Sequence, residues 1–172
     1  MTDFEKLHAQ KPATTPLEIE SGELKWPISF KVTSDGSFFF NTVSKGDNEG
    51  ASLGGHISGE NVKLNCVKVD RLLRGMNLGS KLLTMLEEEL KKLGIKTIYA
   101  TFARPDQIGF FRSNGYVITP LELITKEIQE ALAITPECFH SRVKNDRDYD
   151  DLLSKREVLG DQSEQILLMK RI

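Results

Sequence analysis

The chain has 172 residues, 39% of them apolar and 28% charged, a size at which about 70% of the unfolded chain's surface can be buried. Lys and Arg number 23 and Asp and Glu 25, so the formal charge is −2, which excludes the broad positive field that nucleic acid or an anionic membrane demands. Apolar runs extend only a few residues and the opening MTDFEKLHAQ carries no export stretch, so the expectation is a cytoplasmic protein without a membrane span.

Residues 1–27 are polar, carry Pro12, Pro16 and Pro27, and show no sustained helical period; they read as an N-terminal arm, anchored by Trp26, before a single domain over 28–172. Ser34, Asp35 and Gly36 signal a tight turn between β-rich residues 28–33 and 37–44. Residues 45–50 turn the chain again into a weaker strand, 51–58, loosened by Gly54 and Gly55. Gly59, Glu60 and Asn61 then lead into VKLNCVKVD, whose apolar residues predict a strand over 62–69 buried largely on both faces, with Cys66 a buried structural thiol. Leu78, Leu82, Leu83, Met85, Leu86, Leu90 and Leu93 recur at helical spacing, Lys91 and Lys92 suit the last turn, and Gly94 caps it.

A compact apolar strand follows over 95–102. Pro105 and Asp106 open a further helix through Asn114, Gly115 ends it, and 116–118 is strand-like. Strand, long helix and strand make a parallel crossover, so the class is α+β, a partly parallel sheet entered from an antiparallel meander. Leu121, Ile124, Ile128 and Leu132 predict a helix over 121–134, stopped by Pro136. Residues 137–163, including Asp146, Asp148, Asp150 and Asp151, read as a solvated loop with a short helix near 149–158, and 165–172 as a closing strand. Cys66 and Cys138 are too few for a disulfide framework or cysteine zinc site, and His8, His56 and His140 too scattered for a metal centre.

The residues that point to chemistry are Arg74, Gly75, Met76, Asn77, Leu78, Gly79 and Ser80, between the strand 62–69 and the helix from Leu78. Such a loop turns backbone N–H groups outward at the positive end of a helix, which suits a phosphate. Gly75, Asn77 and Gly79 tolerate the close approach and left-handed backbone that an anion requires. The same composition also fits a plain helix entry.

Residues 74–79 resemble the acyl-CoA loop of the GNAT N-acetyltransferase superfamily, whose pattern is Arg/Gln-x-x-Gly-x-Gly/Ala; Arg74 and Gly79 match, and Asn77 stands at the middle glycine. The strands and helix around it agree in order, and the string IGFFRSNGY over 108–116 is similar to the helix-and-turn ending of the family's CoA-binding half. The resemblance covers 62–118 well and 28–58 loosely. It implies the GNAT fold, a mixed, mostly antiparallel sheet with a parallel strand–helix–strand crossover at its centre. It further implies that acetyl-CoA lies where strand 62–69 splays from strand 95–102. Val67, Lys68 and Val69 would pair with the pantetheine arm, residues 74–80 would hold the pyrophosphate, and Phe110 with Phe111 would border the cofactor.

The implied activity is an N-acetyltransferase in which a primary amine (a small amine, a peptide N-terminus or a protein lysine) attacks the thioester directly. Glu60, His56 and Asp70 flank the central strand as candidate bases, and a carboxylate near the strand's start recurs in the family, which favours Glu60. Many members place a proton-donating Tyr in the last helix of that half; this chain has Phe110 and Phe111 there. Tyr116 is then the nearest phenol and the candidate acid, although a core aromatic packing behind Gly115 is its better fit. An acyl-CoA-binding module without turnover is the alternative, and a homodimer is compatible with the fold.

Overall fold

The computed structural model describes residues 18–21, 24–42, 50–69, 77–139, 142–155 and 164–172. They gather into two compact units, one drawn from 1–60 and 66–95, the other from 61–65 and 96–172.

In the first unit, β1 (Glu18–Ser21), β2 (Leu24–Val32), β3 (Ser37–Thr42) and β4 (Ala51–Ser58) neighbour one another in that order, each pairing antiparallel with the next where the register is defined. The end of β5 (Asn61–Val69) follows β4. Within the span read as an arm, Ile19 pairs with Trp26 across the β1–β2 hairpin, and both are buried. Phe38, Phe40 and Thr42 of β3 are buried while Phe39 is 56% exposed, the period of two expected of a strand covered on one face. The β2–β3 turn closes through Thr33 and Ser37, with the Ser37 N–H donating to Asp35. Gly36 is obligatory there: its φ is +92°, and a Cβ would stand 2.6 Å from the Ile57 carbonyl.

Helix α1 (Leu78–Lys92) packs on β4 and β1 through Leu78, Leu82, Leu83, Leu86 and Leu90, all buried. It ends in a Schellman motif at Gly94, φ +83°, with Gly94 N–H on the Lys91 carbonyl and Ile95 N–H on that of Leu90.

The second unit is ordered β5-β6-β8-β7, with β6 (Thr97–Phe102), β7 (Val117–Ile118) and β8 (Ile166–Arg171). β5 and β6 are parallel over 61–64 and 97–100, and β8 is antiparallel to both β6 and β7. Helix α2 (Pro105–Ser113) buries Ile108 and Phe111 and ends in a second Schellman motif at Gly115. Phe111 stacks on Phe102 with ring centroids 4.9 Å apart and meets Tyr116 edge-on at 5.0 Å.

Three sequence expectations are corrected here. The helix expected over 121–134 is instead a 3₁₀ turn (Leu121–Leu123) and a short helix α3 (Lys126–Ala131). Ile124 is extended between them because Thr125 starts a new helix, its side chain capping the Ile128 N–H. The apolar spacing survives the break: Ile124 and Leu132 join Tyr99, Ile134 and Leu167 in one buried cluster, with Leu121 and Ile128 packed against it. Second, the acidic run is helical in α4 (Asp146–Ser154), capped by Asn145 on the Asp148 N–H, and is not a loop. Third, β5 is not buried on both faces. Val62 and Leu64 are fully buried but Asn65, Cys66 and Lys68 are exposed, since the parallel register ends at Leu64 while the strand runs on to Val69.

Candidate functional site

The candidate cofactor residues of the first unit lie at the end of β5 and the start of α1. Val67 and Val69 are half-buried and Lys68 is exposed. Asp70, Arg74, Gly75 and Met76 lie outside the described residues. Asn77 precedes α1 with φ 56° and ψ 17°, the left-handed conformation, and its carbonyl accepts the first helical bond from Lys81 N–H at 3.0 Å. Leu78 and Gly79 are buried, Ser80 is half-buried, and no acidic residue stands in the first turn. The helix therefore presents its positive end without a neutralising carboxylate of its own. Along the same turns runs an open groove of about 420 Å³ between Ser80, Lys81, Thr84 and Met85 and the β1 residues 18–20, closed on one side by Lys81 donating to the Glu20 carbonyl at 2.9 Å.

Among the proton-transfer candidates, Glu60 is exposed in the β4–β5 turn beside Gly59, whose φ is +58°. His56 is half-buried on β4 against Gly36. In the second unit, Tyr116 is 2% exposed, packed by Phe111 and by the Lys170 ammonium 5.5 Å above its ring. Phe110 is half-buried on α2, and its carbonyl accepts from both Ser113 Oγ and Asn114 Nδ2 at 2.8 Å.

The acidic run serves packing. Arg112 of α2 meets Asp146 at 2.7 Å and Asp150 at 2.8 Å and lies over the Tyr149 ring, 5.4 Å from its centroid. Hydrogen bonding from Arg112 holds the Asp150 carboxyl below its ordinary pKa. Among the described residues no three His, Cys, Asp or Glu side chains are placed to hold a metal ion, and no helix is long and apolar enough to cross a membrane.

Sequence reasoning passed over Lys63, Asn65 and Thr101, which line a cavity with residues 133–135 and Gln165 in the second unit. The signal was present in the alternation of VKLN: with Val62 and Leu64 turned into one core, strand geometry turns Lys63 to the opposite face. What receives it there comes from the segment between β7 and β8, at residues 133–135, just beyond the helical spacing of Leu121, Ile124, Ile128 and Leu132.

A family model described as the Acetyltransferase (GNAT) family matches residues 11–116. GCN5 from Tetrahymena is 11% identical with a TM-score of 0.51, the match covering 79% of this chain and 68% of that one. A Klebsiella pneumoniae protein named as an acyl-CoA N-acyltransferase is 14% identical with a TM-score of 0.51, covering 82% of this chain and 76% of its own. No curated protein sequence matches the chain. At these identities the structural likeness speaks to fold, and the fold, with its parallel β5–β6 pair in an otherwise antiparallel sheet, is that of the GNAT acetyltransferases.

Proposed function

Since the chain belongs to the GNAT acetyltransferase family, we propose that it transfers an acetyl group from acetyl-CoA to the nitrogen of a primary amine. The observation that carries this reading is Asn77. It occupies the middle-glycine place of the loop pattern and holds the left-handed backbone that a glycine would supply there, directly before the first turn of α1.

In this reading the pantetheine arm runs along Val67, Lys68 and Val69, and the pyrophosphate lies over residues 74–80 at the positive end of α1. The amine nitrogen attacks the thioester carbon, the C–N bond forms, and the C–S bond breaks with its electron pair leaving on sulfur. Glu60, exposed to water in its turn, takes the proton the amine loses. The CoA thiolate takes a proton from solvent, since Tyr116 is buried among Phe111 and Lys170.

The test is release of free CoA from acetyl-CoA across a panel of primary amines, with Ser80→Glu alongside. The added carboxylate suits a helix N-terminus and keeps the fold, but opposes a phosphate there. Amine-dependent CoA release that Ser80→Glu lowers at least tenfold is the expected result; release indifferent to Ser80→Glu would remove the phosphate from this position. The burial of Tyr116 and the phenylalanines at 110 and 111 favour a second reading, a module that binds acyl-CoA without turnover. Binding of acetyl-CoA with no CoA release on any amine would select it.

A further inference from the structure

In the second unit, one face of β6 and β8 presents Tyr99, Thr101 and Leu167 to the segment 121–139. Beside the apolar cluster formed there lies a cavity of about 250 Å³, smaller than the pockets that drug-sized molecules fill. Among the described residues its one charged lining group is Lys63. The Lys63 ammonium donates to the Ala133 carbonyl at 3.3 Å, has no ion pair among the described residues, and is held below its ordinary pKa by burial.

The rest of the polar lining is neutral: Asn65, Thr101, Thr135 and Gln165, whose side chains make no hydrogen bond to the protein among the described residues. Among the described residues no carboxylate lines the cavity. Among the described residues this partly desolvated cation meets no counter-charge in the cavity, and the neighbouring amides and hydroxyls are groups able to donate to a bound anion. One positive charge matches a monoanion; a phosphate dianion would call for a second cation. An adjoining cavity of about 300 Å³ shares Phe139 and Gln165 with this one; Leu121, Pro136 and Val143 in its wall give an apolar substituent room, and the two charged groups among its described lining residues, Glu122 and Lys144, pair with each other at 3.1 Å.

We infer that this cavity anchors the carboxylate of a small aminocarboxylate with an apolar side chain, Lys63 taking its charge and Asn65, Thr101, Thr135 and Gln165 its remaining lone pairs. That this ligand is the acetyl acceptor rests on the acetyl-transfer reading above; the anion site itself does not.

The experiment measures binding by titration calorimetry, without acyl-CoA, of leucine, 4-methylpentanoate (no amine), 3-methylbutylamine (no carboxylate) and inorganic phosphate. Leucine and 4-methylpentanoate should bind at least tenfold more tightly than the amine and phosphate. Lys63→Met should abolish that preference without lowering the melting temperature, because it removes a poorly solvated charge. Equal binding of the amine, preference for phosphate, no binding of either carboxylate, or unchanged binding by Lys63→Met would each overturn the inference. CoA release then separates the two readings. Carboxylate binding that depends on Lys63, with no CoA release on any amine, leaves the site standing and removes acetyl transfer. CoA release equal for leucine and 3-methylbutylamine and unaffected by Lys63→Met removes the site's role and leaves acetyl transfer standing.

Discussion

Asn77 and Ala133 are the two non-glycine residues, among those described, held at positive φ, 56° and 51°. Asn tolerates this region because its short polar side chain can bond locally, whereas a β-branched residue clashes with its own carbonyl. Asn77→Val should therefore destabilise the protein by about 1–2 kcal/mol, and Asn77→Gly should leave stability nearly unchanged; chemical denaturation measures both. Ala133 is the more instructive case. It sits where Gly94 and Gly115 sit after α1 and α2, with its N–H on the Glu130 carbonyl and the Ile134 N–H on that of Gln129, a complete Schellman motif built on alanine. Ala133→Gly should stabilise by about 1 kcal/mol, a rise of about 2–4 °C in melting temperature. A fall would mean that the Ala133 methyl contributes packing that outweighs its backbone strain.

At the level of elements, caps and ion pairs determine what hydrophobic spacing cannot. The periodicity of Leu121, Ile124, Ile128 and Leu132 identifies residues that share one cluster, yet Thr125 breaks the helix that the spacing implies. Local side-chain-to-backbone bonds compete with helix propagation over so short a stretch. The acidic run behaves similarly: its charges suggest a solvated loop, but Asn145 caps it, its early aspartates favour a helix start, and Arg112 ties it to α2. Asp150 has its pKa depressed by hydrogen bonding from Arg112, so this contribution is present above the unfolded-state value and is lost as pH falls through the lower folded value. Asp150→Asn should thus melt below the wild type at neutral pH, with the gap closing in acid. A gap that stays constant from pH 7 to pH 2.5 would show that the Arg112 contact does not act through the Asp150 charge.

At the scale of the whole molecule, acetyl-CoA at a hundredfold its dissociation constant should stabilise the native state by about 2.7 kcal/mol, a melting shift of about 5–10 °C. Free CoA should act in the same direction, and absence of a shift with either would remove the cofactor from the loop at 74–80. How much of this was legible beforehand follows from the range of the forces involved. Gly36, Gly94 and Gly115 announce turns because positive φ is a property of one residue, and the leucines of α1 announce their face because 3.6 residues per turn is a property of one helix. The loop pattern ending in Gly79 was legible for the same reason, and so was the α+β class. Tertiary structure alone decided that Cys66 is exposed, that Tyr116 is enclosed by Phe111 and Lys170, and that Lys63 lines a cavity with no carboxylate among its described residues. Each of those depends on which distant segment covers a strand face. The β7–β8 segment covers one face of β6 and β8 through contacts more than twenty residues apart in the chain; its apolar spacing marks the residues it buries but not the strands they are buried against.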